Sequence, residues 1–205
     1  MKKKVALIVI NNFVNDSRVL KEALSLQNAG YSTQVFALHD EPLDEKEDIQ
    51  GVGVQRIKLK SRSWPKYKVI QLLKYFEFVF KVVCRVHRFD VIHCNDLDAL
   101  PVGVLVKLFF KRSARLVYDA HEFEINDVPF QSRASIRLKY WLEKILIKWA
   151  DRVITVSDSI ANEYRKLYGI AKPSLVLNTP AFCELTQQDL FRKELGIRKD
   201  QTIFL

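Results

Sequence analysis

The chain has 205 residues, of which 48% are hydrophobic and 11% aromatic, so it can bury a substantial core and is not globally disordered. No apolar run approaches the roughly 18 residues of a membrane-spanning helix. The formal net charge of +9 favours anionic partners, namely nucleic acid, anionic lipid or phosphorylated ligands, without choosing among them. Three cysteines without metal-ligand spacing indicate free thiols in a reducing compartment.

Apolar strands alternate with amphipathic helices along most of the chain. The predicted strands are Val5–Ile10, Thr33–Leu38, Val52–Leu59, Asp90–Cys94, Arg115–Tyr118, Arg152–Val156 and Ser174–Leu177. The predicted helices begin near Asp16, Tyr67, Leu97, Ala134 and Ser157. We expect the acidic stretch Glu41–Asp48 to be a loop. This alternation predicts an α/β fold: a Rossmann-like, doubly wound parallel sheet with helices on both faces.

The chain divides at about residue 180. Residues 1–180 hold the predicted sheet and form one domain. Residues 181–205 are expected to be a linker and the start of a truncated C-terminal domain, with a helix over Thr186–Leu195 and a strand that begins at Thr202.

Polar residues follow the strands at the points where the strands end. The carboxyl ends of parallel strands share one edge of the sheet, and ligands bind in the crevice there. The sequence therefore predicts one cleft lined by residues that are far apart in the chain. Its candidate residues are Asn12, Asp16, Arg18, Asn95, Asp96, His121, Glu122 and Ser157.

Several of these residues have local alternatives. Asp16, Asn95, Asp96 and Ser157 are residue types that cap helices, and a capped helix start can also face the cleft. Arg18 could bind an anionic acceptor, or pair with Asp16 or Glu22 on its own helix. His121 could simply be satisfied by Asp119 or a backbone carbonyl. The tripeptide 96–98, Asp-Leu-Asp, looks like a metal-binding pair, but such tripeptides are common by chance.

Several segments, in order, resemble the N-terminal half of a retaining glycosyltransferase of the GT-B fold, in particular family 4. They are Asn15–Ala23 with Gly30, Asp90–Asp96, Tyr118–Glu122, Ala150–Ser157 and Val176–Pro180. The family often carries a Gly-Gly turn after the first strand, where this chain has 11–14, Asn-Asn-Phe-Val. The resemblance covers about residues 3–180.

The resemblance implies a retaining, hexosyltransferase-type enzyme that moves a sugar from a nucleotide-sugar to a lipid-linked or polysaccharide acceptor. The expected setting is bacterial cell-envelope, capsule or exopolysaccharide biosynthesis. His121 would hydrogen-bond the donor sugar near the reacting centre, and the other cleft residues would orient acceptor hydroxyls. The nucleotide-sugar would be bound mainly by the missing C-terminal domain, so the chain alone should be inactive. We expect no cofactor, no metal and no nucleic-acid partner.

Two other functions stay open from the sequence. A basic α/β module that binds nucleic acid is supported by the charge, although no Gly-rich RNA-binding signature, zinc pattern or helix-turn-helix is recognisable. A nucleotide-sugar epimerase of the same fold would differ only in its product.

Two segments, Trp64–Arg88 and Arg133–Trp149, are basic and rich in aromatic residues. Such helices suit the surface of an anionic membrane, with Lys74, Lys81 and Arg85 facing the lipid. Alternatively, the aromatic residues belong to the core and the lysines are merely solvated. We expect a cytoplasmic protein. If the two helices bind the membrane, it would be peripheral on the inner face of the plasma membrane.

Overall fold

The computed structural model describes residues 2–120, 132–180 and 190–203. Its strands are β1 Lys4–Ile8, β2 Ser32–Leu38, β3 Lys46–Ile49, β4 Val52–Ile57, β5 Val91–Asn95, β6 Arg115–Asp119, β7 Arg152–Thr155 and β8 Ser174–Leu175. Its helices are α1 Ser17–Asn28, α2 Lys68–Val86, α3 Asp96–Phe109, α4 Arg133–Leu146, α5 Asp158–Tyr168 and α6 Leu190–Leu195, with a 3-10 turn over Ile147–Trp149.

The strands form one sheet in the order β3-β4-β2-β1-β5-β6-β7-β8. Every pairing is parallel except that of β3 with β4. Strand β1 lies at the centre and is buried over all but its first residue, as a continuous apolar run predicts for a strand covered on both faces. The predicted Rossmann-like α/β fold is confirmed.

The sheet separates two apolar cores. On one face, α1 packs on β1, β2 and β4 around Val19 and Ala23. On the other face, α2, α3 and α5 cover the sheet with the turn that follows α4. Helix α3 lies close to the strands at Gly103, where an added Cβ would lie 2.2 Å from a side-chain carbon of Leu116. Only glycine fits this approach without displacing the core.

Two local predictions are wrong. The acidic stretch Glu41–Asp48 is not all loop, because its last three residues belong to β3, which forms an antiparallel hairpin with β4. Gln50 and Gly51 both have positive φ in the connecting turn, the geometry of tight hairpins. At the other end of the chain, Thr202 and Ile203 are not in a strand.

Candidate active site

The loop between β1 and α1 is held by its own side chains. The Asn11 side chain accepts a hydrogen bond from the Phe13 N–H at 2.8 Å and donates one to Asp16 at 2.9 Å. Asn12 accepts from the Val14 N–H at 3.3 Å. Phe13 is buried and has φ of 55°, in the left-handed region that favours glycine. The loop therefore adopts a glycine-like backbone without a glycine.

Asp16 begins α1. Its Oδ1 accepts the Val19 N–H at 3.1 Å, so the capping role expected of it is present. The start of α1 and the preceding loop line a cleft of about 400 Å³ at the carboxyl edge of the sheet, and Asn178 lines the same cleft. The structure thus brings together three of the predicted site residues: Asn12, Asp16 and Arg18.

Arg18 forms a buried ion pair with Asp119 that sequence reasoning did not anticipate. Its Nε and Nη2 donate to the two carboxylate oxygens at 2.8 Å each, and its Nη1 donates to the Val176 carbonyl at 2.9 Å. The expected pair with Glu22 is also present, at 3.2 Å. Burial alone would lower the pKa of Arg18, but the hydrogen bond and negative charge of Asp119 prevail and raise it. Arg18 therefore ties α1 to the end of β6 and to the chain that leaves the sheet.

Asn95 lies at the end of β5, in register with Asp119 on the neighbouring strand. It is buried, and its Nδ2 donates to the Ile8 carbonyl at 3.1 Å. It precedes α3 but makes no side-chain capping bond, so the capping alternative is wrong for this residue. Within the described residues its Oδ1 has no hydrogen-bond partner, which leaves a buried acceptor at the cleft edge of the sheet. Asp96, next in the chain, has φ of 67°.

Ser157 caps α5, as predicted: its Oγ accepts the Ile160 N–H at 3.2 Å. A contact between Ser157 and an acceptor stays a prediction. His121 and Glu122 lie outside the described residues. Their assigned roles likewise stay predictions.

A larger groove of about 760 Å³ opens beside α1. It lies on the face of the sheet that α1 covers, over β5, β6 and β7. Arg18, Glu22 and His93 line it, and the His93 Nε2 lies 3.5 Å from a Glu22 oxygen. Glu22, His93 and Asp119 each offer one atom that could bind a metal ion, and these three atoms lie within 4.8 Å of one another. However, both Asp119 oxygens already accept from the Arg18 guanidinium, whose charge opposes a cation there. The guanidinium thus disfavours a cation at this cluster, and Arg18 pairs with both Asp119 and Glu22.

Comparison with known proteins gives a family and a fold. The profile of glycosyltransferase family 4 matches residues 17–179, and no curated protein matches the sequence. Among solved structures, sucrose-phosphate synthase from Thermosynechococcus elongatus is 16% identical with a TM-score of 0.75, over 97% of this chain and 54% of that one. The catalytic domain of Arabidopsis thaliana starch synthase IV, bound to ADP and acarbose, is 15% identical with a TM-score of 0.66, over 98% and 60%.

A third similar structure is Anabaena Alr3699/HepE in complex with UDP and glucose, which is 20% identical with a TM-score of 0.62, over 95% of this chain and 50% of that one. At these identities the likeness shows the fold alone. This chain spans between half and three-fifths of the length of these three structures.

Proposed function

Because this chain belongs to glycosyltransferase family 4, we propose that it is the acceptor-binding half of an enzyme that transfers a sugar, with retention, from a nucleotide-sugar donor. The observation that carries the proposal is the cleft at the carboxyl edge of the sheet, because ligands of open α/β sheets bind at that edge. Family membership also favours a transferase over a nucleic-acid-binding module.

The cleft chemistry suits a polyhydroxylated acceptor. Asn12 and Asn178 offer neutral amide donors and acceptors, whereas the Ser17 and Val19 N–H groups in the first turn of α1 are already bonded to Asn15 and Asp16. Arg18 lines the cleft as well, but its guanidinium is already engaged by Asp119. We assign Arg18 a positioning role: it orders the cleft and does not bind the acceptor itself.

The donor is assigned mainly to residues outside this chain, since the chain spans only about half of its solved relatives. His121 would face the donor sugar from this half. Retaining transfer passes through an oxocarbenium-like centre as a phosphate leaves, and oriented dipoles stabilise that separation of charge. Closure of the two halves would exclude water and favour transfer over hydrolysis. No cofactor or metal is assigned a role.

The acceptor is proposed to be lipid-linked or a growing glycan of the bacterial envelope, capsule or exopolysaccharide. The net charge of +9 supports an anionic acceptor, as a lipid-linked phosphate would be. The sugar, the nucleotide and the linkage are for experiment to identify.

The test is product analysis with a protein that includes both halves. We expect a panel of UDP-, ADP- and GDP-sugars to yield a glycosylated acceptor whose new bond keeps the donor's anomeric configuration, as read by NMR. An epimerised nucleotide-sugar formed without acceptor would establish the epimerase instead. Inversion of configuration would refute retention, and the absence of any turnover of the donors would refute the activity.

A further inference from the structure

Helix α4 turns a stripe of apolar side chains toward solvent. Within the part of the chain that the structure describes, four large apolar residues on one side of this helix are between 42% and 71% exposed: Leu138, Trp141, Leu142 and Ile145. The only residue of α4 that is fully buried is a glutamate, Glu143. Tyr140 and Leu146 of α4 pack partly against the core, but the stripe of four faces solvent, whereas an amphipathic helix usually turns its apolar stripe to the core.

Glu143 fixes this orientation. Its Oε1 accepts the hydroxyls of Tyr118 and Tyr164 and its Oε2 accepts that of Tyr168, all at 2.6 Å. A buried carboxylate is costly unless it is hydrogen-bonded, and these three donors satisfy it. The three tyrosines belong to β6 and α5. If α4 rotated to turn its apolar side inward, the Glu143 carboxylate would lose these hydrogen bonds. The outward apolar side is thus built into the fold.

The exposed charge around this apolar side is positive. The segment Arg133–Trp149 contains five basic residues and one acid, and that acid is the buried Glu143. Arg133, Arg137 and Lys148 are exposed. The Lys144 ammonium lies about 5 Å from the ring centres of Tyr140 and Trp141, at the border of the apolar stripe.

Helix α2, which packs on the same face of the sheet, also exposes an apolar stripe, although it buries a second apolar side that includes Phe78 and Val82. Five apolar residues at helical spacing are at least half exposed: Val69, Leu72, Leu73, Phe76 and Phe80. The expectation that Lys74 faces lipid is wrong, because Lys74 is buried and donates to the carbonyls of Arg62 and Trp64. Lys81 is mostly buried and pairs with Glu77 at 2.7 Å. The exposed basic residues here are instead Lys68 and Arg85 in the helix and Arg88 just after it.

We propose that the exposed apolar sides of α4 and α2, with the basic residues beside them, dock onto an anionic lipid bilayer. Apolar side chains enter the headgroup region while the flanking cations meet lipid phosphates. A second copy of the chain fits this surface less well, since a symmetric contact would bring two basic rims together. None of the described helices has the length and apolar composition to cross a bilayer.

The test measures co-sedimentation with vesicles of phosphatidylcholine, with and without phosphatidylglycerol. Arg137→Glu with Lys148→Glu should weaken binding to the anionic vesicles by about tenfold or more, since each cation near the surface contributes strongly. Lys2→Glu with Lys46→Glu makes the same change of charge away from α4 and should leave binding intact. Raised salt should release the wild-type protein, because screening shortens the reach of the cations.

The apolar part of the surface is tested by Leu138→Gln with Ile145→Gln, two exposed sites where polar residues should not harm folding. We expect this variant to lose vesicle binding, and the matched change on α6, Phe191→Gln with Leu195→Gln, to keep it. Tryptophan emission should shift to the blue when anionic vesicles are added, and Trp141→Phe should remove most of that shift.

The proposal would be overturned by no binding to either vesicle, by equal binding to both, or by full binding of the α4 variants. The proposal would also be overturned if the wild-type protein were a dimer that bound no lipid and the α4 variants were monomers. The surface would then be a dimer interface. Vesicle binding needs no sugar donor, so it can fail while transfer to a water-soluble acceptor succeeds, and the reverse.

Discussion

The buried pair of Arg18 and Asp119 gives the sharpest test of how the cleft is held together. Arg18 is 6% exposed and Asp119 is fully buried, with two hydrogen bonds of 2.8 Å between them. Arg18→Met would leave the Asp119 carboxylate buried without its cation, and removal of one partner of such a pair costs about 3–5 kcal/mol. The free energy of unfolding in urea should fall by that amount.

The matched control is the exposed pair of Arg62 and Asp40, whose contact of 2.9 Å is similar in length but leaves both side chains 48% exposed. Arg62→Met should cost under about 1 kcal/mol. Adding Asp119→Asn to Arg18→Met should recover part of the loss, with a coupling of about 1–3 kcal/mol. Equal losses for Arg18→Met and Arg62→Met, with no coupling, would show that the buried pair does not hold the cleft.

Gly103→Ala should lower the free energy of unfolding by about 1–3 kcal/mol, because the new Cβ would lie 2.2 Å from Leu116. The control is Gly53→Ala, whose Cβ would have nothing within 4 Å, and it should cost less than about 1 kcal/mol. Glu143→Gln should cost about 1–3 kcal/mol, since the amide cannot accept all three hydroxyls as the carboxylate does; an unchanged melting curve would contradict the anchoring of α4. Burial alone would raise the pKa of Glu77 from its ordinary 4.5. Hydrogen bonds from a lysine, a serine hydroxyl and two backbone N–H groups outweigh burial and lower this pKa to about 2. A lowered carboxyl pKa stabilises the fold above about pH 4.5, and this contribution should disappear as the pH falls toward 2. Glu77→Gln should therefore flatten the pH dependence of the free energy of unfolding between these values.

The sequence predicted the sheet well because strand and helix signals are local. Apolar runs that end in polar residues identified the cleft edge, and the capping residues Asp16 and Ser157 follow from short-range hydrogen bonding. The pairing of Arg18 with Asp119 could not be found in this way, because 101 residues separate them and Glu22 offered a local partner. Strand β3 was missed because its acidic residues resemble a loop.

The orientation of α4 was also beyond sequence reasoning. A 3.6-residue spacing reveals an apolar stripe, but it does not say whether that stripe faces the core. The deciding interaction is the burial of Glu143 among hydroxyls from two other elements, and tyrosines at 118, 164 and 168 give no local sign of it. The same limit applies to Lys74, whose burial depends on backbone carbonyls of the preceding loop.

The central claim, that this chain supplies one half of a sugar-transfer site, is tested most directly by the turnover of His121→Ala in a protein that includes both halves. Dipoles at the reacting centre typically contribute about 10²–10³-fold to kcat. We expect a loss of that size with an unchanged melting temperature. His87→Ala is the matched control, since His87 directly follows α2 and contacts Cys84 and Phe110. Near-normal turnover of the folded His121→Ala enzyme would contradict the assignment.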